Sequence, residues 1–350
     1  MAHGGDIYKN SIELDFSVNI NPLGMPKVVV RKLSESIREY EKYPDIHVRE
    51  LRAKLAKRLG INPQAIIFGN GASEIIVTAV RGVNPKKILI PVPSFTGYVY
   101  AAGSCGCQTT FYYMHEQDGF ALTEDFLEAI TPDIDMVFIT NPNNPTGKYI
   151  KKELLRKIIE KCADCNAVAL LDECFAQLSD GVDAESLIKD YGKYKNLIIL
   201  RSFTKSFAMP GLRLGYAISS NDDLIGCMER QKPEWSVSVP AQIAGIAALE
   251  ETEYLKKSRE IIKEGRKYLE GELSRLGFYC IGSKADYILF KDAKDRNINL
   301  YAELLKRKIL IRDCSDYEGL SEGWYRIAVK TDDENRTLIG RVKEICTPGV

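Results

Sequence analysis

Seven short strand-like runs, at 65–68, 88–90, 109–113, 136–140, 167–171, 197–200 and 215–218, constrain this chain more than any other feature. Most are separated by loops or by segments with helical spacing of apolar residues, the pattern of an α/β protein whose largely parallel sheet is covered by helices. At 350 residues the chain is long for one core, so more than one domain is expected. The expected division is an N-terminal arm with a small-domain segment at 1–40, a large cofactor-binding domain at 41–250, and a C-terminal small domain of α+β pattern at 251–350.

In such sheets chemistry gathers at the carboxyl ends of the strands. Four of the runs end suggestively: Pro93-Ser94-Phe95, the segment from Asn141 to Gly147, Asp172-Glu173, and Lys205. Each has a plain structural alternative. Phe95 suits a core, the Asn-Pro segment a rigid loop, and Asp172 a helix cap. Together those alternatives require four coincidences at one edge.

The stretch 202–216 puts Lys205 and Arg213 on either side of a Pro-Gly turn. A lysine just past a buried strand loses water, which lowers its pKa and frees the amine to attack a carbonyl. Ser202 and Arg213 add a hydroxyl and a fork of donors suited to a phosphate ester. Lysine and donors together point to pyridoxal phosphate, whose aldehyde needs the one and whose phosphate needs the others. Ser-x-x-Lys is also the nucleophile motif of penicillin-binding proteins and β-lactamases, but the Ser-Asp-Asn and Lys-Thr-Gly motifs that reading needs are missing.

The turn at 69–74, Gly-Asn-Gly-Ala-Ser-Glu, leads from a strand into a helix and exposes amides at the positive end of the helix dipole. A dinucleotide fingerprint needs a third glycine where Glu74 stands. Phosphate of some kind remains the expected ligand.

Composition excludes other classes. Lys plus Arg and Asp plus Glu each number 48, so nothing global points to nucleic acid or an anionic membrane surface. No apolar run approaches the roughly 18 residues of a membrane span, and the N-terminus lacks a signal-peptide core, so a cytoplasmic protein is expected. Nine cysteines without the density of a secreted scaffold read as reduced thiols. Cys162-x-x-Cys165 has no second pair of matching spacing, and no metal site is expected.

Helical spacing spans 28–40, 48–59 and 251–276, and strand-like runs follow at 278–281, 287–290, 309–311 and 325–329. Arg312 and Arg326 follow or lie within these runs and suit an anion. The arm carries His3-Gly4-Gly5 and an apolar-polar alternation over 15–24 that suits either simple packing or a lid.

Asn-Pro-Asn-Asn-Pro-Thr-Gly, Asp172-Glu173 and Ser-x-x-Lys followed eight residues later by Arg213, in this order, resemble the class I/II aminotransferase superfamily of pyridoxal-phosphate enzymes. The resemblance implies a fold like that of those aminotransferases and a homodimer. It implies that Lys205 carries the cofactor as a Schiff base and that Asp172 keeps the ring nitrogen protonated. Asn144 would bond the ring oxygen, and Phe95 would stack on the ring. Ala72, Ser73, Ser202 and Arg213 would hold the cofactor phosphate, and Tyr43 would reach the phosphate of the neighbouring subunit. Arg326 would take the substrate carboxylate as a bidentate pair. Many relatives carry a tyrosine where this chain has Phe175, which cannot donate to the ring oxygen.

Two branches of the superfamily compete. His3-Gly4-Gly5, the run 15–24, the segments 200–205 and 231–237, and Ile311-Arg312-Asp313-Cys314 are similar to the L-threonine O-phosphate decarboxylases of cobalamin synthesis, which form (R)-1-amino-2-propanol phosphate. The histidinol-phosphate aminotransferases share the core motifs and match less well at the arm. On the first resemblance, a small phosphorylated amino-acid substrate would have its phosphate held by His3, Gly4, Asn19 and Arg312. A pyridoxal-phosphate-binding regulator without turnover is the reading from another class; such regulators usually carry a DNA-binding domain, for which the arm is too short.

Overall fold

The computed structural model describes residues 4–9, 11–181, 185–294, 296 and 298–346. All seven runs form strands of one sheet, in the order Ile66–Asn70, Leu214–Ile218, Leu197–Ser202, Val168–Asp172, Met136–Thr140, Lys87–Val92 and Gln108–Tyr113. Alternation along each strand sorts its side chains onto two faces. Met136 and Phe138 pack with Ile76 and Val80 of helix Gly71–Val83, whereas Val137 and Ile139 pack with Leu155 and Ile158 of helix Lys152–Asp164. Covered on both faces, the central strands are apolar throughout, as their sequences required.

One strand breaks the parallel order. Leu214–Ile218 runs antiparallel to both of its neighbours, with Ser202 opposite Gly215. The chain turns back through Pro210–Leu212 instead of crossing over in a helix, so Lys205 and Arg213 stay at the same end of the sheet as Asp172.

A second, antiparallel sheet has the order Arg312–Asp313, Trp324–Ala328, Tyr287–Asp292 and Phe278–Cys280. The long helix Tyr254–Arg275 precedes it. The strand expected at 309–311 is divided: Ile309–Leu310 pairs with Leu14–Asp15 of the arm, and Arg312–Asp313 pairs with Trp324–Ala328. Fully buried Phe16 makes the division, because its amide donates to the Leu310 carbonyl (2.7 Å) and its carbonyl accepts from Ala328 (2.8 Å). The helix expected over 28–40 also stops early, at Glu35, with a 3-10 turn over Ile37–Glu41. Tyr40 donates its hydroxyl to the Leu33 carbonyl (2.7 Å), closing that end with a side chain.

Candidate active site

The site forms where several strands end. A cleft of about 370 Å³ is lined by Ala72, Ser73, Phe95, Asn144, Asp172, Ser202, Lys205, Arg213, Arg312 and Arg326, and by Gly4, Ser17 and Asn19 of the arm. The structure thus brings together every residue expected to hold cofactor or substrate except two. His3 lies outside the described residues, and Tyr43 stands exposed away from the cleft, its ring 5.1 Å from that of Trp235.

One end of the cleft is built for an anion. Helix Gly71–Val83 starts directly after strand Ile66–Asn70, and its first-turn amides have no acceptor within the helix. Glu74 reaches back to accept from the Asn70 amide (2.7 Å), which explains an acid where a dinucleotide fingerprint has glycine. Two glycines let the other donors close in. A Cβ on Gly71 would lie 2.5 Å from Arg213 Nη2, and one on Gly215 would lie 2.6 Å from the Ala72 nitrogen. Ser202, at the start of the short helix Phe203–Ser206, accepts from the Thr204 amide (3.1 Å).

Asp172 ends its strand buried in the wall of the cleft. Its Oδ1 accepts from the Cys174 amide (2.9 Å) and its Oδ2 from the Tyr98 hydroxyl (2.7 Å), which is itself 2.8 Å from Thr140 Oγ1. Burial pushes the Asp172 carboxyl above the usual carboxylate range, while the bonds from Cys174 and Tyr98 act in the opposite direction. Burial likewise holds Lys205 below the ordinary lysine range, opposed by the Asp286 carboxylate. A depressed amine facing a cleft is the form that attacks carbonyl carbon.

The other end carries two guanidinium groups. Arg312 and Arg326 sit directly opposite one another on adjacent antiparallel strands. Arg312 donates to Asp316 Oδ1 (2.6 Å) and lies 5.1 Å over the Tyr317 ring. Arg326 donates to the Ser17 carbonyl (2.8 Å), to Asn144 Oδ1 and to the Tyr317 hydroxyl (3.3 Å). Like charges opposite one another on a sheet repel. Of the two, only Arg312 has a carboxylate partner among the described residues.

Sequence reasoning missed Tyr98, Thr140, Cys174, Asp316 and Tyr317. Asp316 carried a signal, the i,i+4 spacing from Arg312. Tyr98 carried a weaker one, three positions beyond Phe95, to whose ring it packs edge-on at 5.5 Å. Phe175 lines the cleft and packs edge-on against Tyr287 at 5.1 Å. The pair Cys162 and Cys165 is remote from these groups: burial pushes the Cys162 thiol up to about 12, and Cys165 donates to the Ile130 carbonyl (3.6 Å).

The donor set fits pyridoxal phosphate: an amine for the aldehyde, a buried carboxylate for the ring nitrogen, and helix amides with Arg213 for the phosphate. Comparison with known proteins agrees. The family model described as aminotransferase class I and II matches residues 11–342. Threonine-phosphate decarboxylase of Salmonella typhimurium is 35% identical, over 99% of this chain and 97% of its own length. The crystal structure of histidinol-phosphate aminotransferase from Clostridium acetobutylicum superposes with a TM-score of 0.89 at 32% identity, covering 95% of this chain and 99% of that one. Histidinol-phosphate aminotransferase from Sinorhizobium meliloti, solved in complex with pyridoxal-5'-phosphate, shares the fold (TM-score 0.84, 21% identity, covering 96% of this chain and 91% of that one).

Proposed function

Since the chain belongs to the class I and II aminotransferase family of pyridoxal-phosphate enzymes, we propose that it decarboxylates L-threonine O-phosphate to (R)-1-amino-2-propanol phosphate. The observation that carries this reading is the cross-strand pair Arg312 and Arg326, two guanidiniums that line the cleft with Lys205, of which only Arg312 has a carboxylate partner among the described residues. Such a pair suits a small substrate with two anionic groups.

The cofactor supplies an electron sink for the bond that breaks at the substrate's Cα. The chain's residues do the rest. Arg213 and the amides of Ala72 and Ser73 anchor the cofactor phosphate. Asp172 holds the proton on the ring nitrogen, Asn144 meets the ring oxygen and Phe95 covers the ring. Arg326 takes the substrate carboxylate; Arg312 takes its phosphate, with Gly4, Asn19 and His3 of the arm. Phosphate binding away from Cα turns the substrate so that its carboxylate leaves, which spends remote binding energy on the choice of bond. Lys205 Nζ returns a proton to Cα. The reading includes a homodimer in which exposed Tyr43 serves the neighbouring subunit's cofactor, and a cytoplasmic location.

A histidinol-phosphate aminotransferase is the second reading, favoured by the closeness of the Clostridium acetobutylicum structure. One assay separates them. Carbon dioxide released from L-threonine O-phosphate, with no amino group passed to 2-oxoglutarate, supports the decarboxylase; amino transfer from histidinol phosphate without carbon dioxide overturns it.

A further inference from the structure

Asp286 is the buried carboxylate that the foregoing chemistry leaves unused. It immediately precedes strand Tyr287–Asp292, has no exposed surface, and neither of its oxygens meets a donor among the described residues. Other buried carboxylates in the same region are satisfied: Asp172 by Tyr98 and Cys174, and Glu173 by Arg201 and Ser186. The backbone around Asp286 is held on both sides. Its carbonyl accepts from Val329 (2.7 Å), the Ala285 carbonyl accepts from Arg266 Nη1 (2.8 Å), and the Tyr287 hydroxyl donates to the Asn143 carbonyl (2.9 Å). A buried carboxylate without donors is costly unless a charge compensates it.

The cations that face Asp286 are Lys205, Arg326 and Arg266. Arg266 is already paired with Asp180. Arg326 directs Nη1 and Nη2 to Asn144, Tyr317 and Ser17 and keeps only its buried Nε without an acceptor among the described residues. Lys205 is different, since among the described residues no hydrogen bond or ion pair engages its Nζ. The groups that act most on Lys205 are Asp286, Arg326, Cys174 and Arg213, and of these Asp286 is the carboxylate; Asp172, across the same cleft, is engaged by Tyr98 and Cys174. Lys205 lines the cleft and Asp286 does not.

We propose that Asp286 is a positioning residue that acts through Lys205: from outside the cleft its carboxylate favours a proton on Nζ, which suits Lys205 to donate one. The inference rests on the decarboxylase reading and deepens it. When the carboxylate leaves as carbon dioxide, the Cα–carboxyl bond breaks and its electron pair stays with the Cα side. A proton from Nζ then forms the new Cα–H bond and leaves Lys205 neutral. Amino transfer begins the other way, with Nζ taking the Cα proton, and needs the amine neutral at the outset. Burial favours the neutral amine; the Asp286 carboxylate opposes that effect and favours the protonated form. Burial also pushes Asp286 up to about 7, so its hold on the lysine weakens as pH falls through that value and the carboxylate takes up a proton.

The test is D286N in the cofactor-loaded full-length protein. Asn keeps the shape and removes the charge. The pH midpoint of the bound cofactor's visible absorbance is expected to fall by about one unit or more, because the nitrogen of Lys205 loses the charge that favours its protonated form. The ratio of amino transfer to carbon dioxide release is expected to rise about tenfold. An unchanged midpoint overturns the inference. Should D286N not fold, D286S serves: it too removes the charge, the same fall in the midpoint is expected, and an unchanged midpoint overturns the inference. The two readings fail separately. A shifted midpoint in a protein that releases no carbon dioxide from L-threonine O-phosphate upholds the coupling of Asp286 to Lys205 and overturns the decarboxylase reading.

Discussion

Replacing Tyr98 by Phe removes one oxygen from the chain and one of the hydrogen bonds that keep Asp172 ionised. The Tyr98 hydroxyl donates to Asp172 Oδ2 at 2.7 Å in a buried hydrogen bond, and its ring stacks on Phe138 with centroids 4.8 Å apart. Phe keeps that stack, so the loss is confined to the hydroxyl. A hydrogen bond to a charged group contributes about 1.5–3 kcal/mol. The Cys174 amide still donates to Oδ1 at 2.9 Å, so the carboxylate is weakened without being abandoned. If the whole loss falls on the charged form that pairs with the cofactor ring, pyridoxal phosphate should bind about 10- to 150-fold more weakly. The sign for pH follows from the same bond: burial already raises the pKa of Asp172, and losing a donor raises it further. The acid limb of activity therefore moves to higher pH. Cofactor titration of the apoprotein at several pH values, followed by absorbance, measures both effects. Affinity within about threefold of wild type, with an unmoved acid limb, would refute the view that Tyr98 sustains the charge on Asp172.

Arg201→Met should destabilise the fold by about 3–5 kcal/mol, since it leaves Glu173 buried without its cation; thermal and denaturant unfolding measure the loss. Gly71→Ala forces a side chain into a backbone with φ of +77° and pushes against Arg213, so cofactor affinity should fall more than stability does, as parallel titration and melting would reveal. Arg312→Ala should lower kcat/KM for a phosphorylated substrate by about 10²-fold while the cofactor spectrum stays unchanged; equal rates with phosphorylated and unphosphorylated substrate in the wild type would count against that role.

The sheet was legible because its central strands are bounded, largely apolar runs, which need no alternation to be recognised when both faces are covered, and its edge strand Gln108–Tyr113 is rich in Thr and aromatic residues. Lys205, Arg213, Asn144 and Asp172 were legible for a related reason: each stands within a contiguous segment at a strand end, where sheet geometry already dictates convergence. Tyr98 was not, because its partner lies 74 positions away and nothing local distinguishes its hydroxyl from that of a packing tyrosine. The division of 309–313 between two sheets was hidden as well. No turn residue marks it, and its cause is Phe16, far off in sequence. Asp286 escaped notice for a third reason: an acid before an apolar run reads as a solvated strand end, and only burial without donors gives it a different meaning.

Gly215 and Gly71 have a consequence beyond making room. They set the bite of the anion cradle, the span between the Arg213 fork and the first amides of the helix, in the way a shim sets a jaw. Enlarging either residue would leave every donor in the chain and change only their separation. The cradle would then regrade anions by size, so that larger oxyanions lose less affinity than phosphate, a form of selectivity written in backbone clearance instead of in side-chain chemistry.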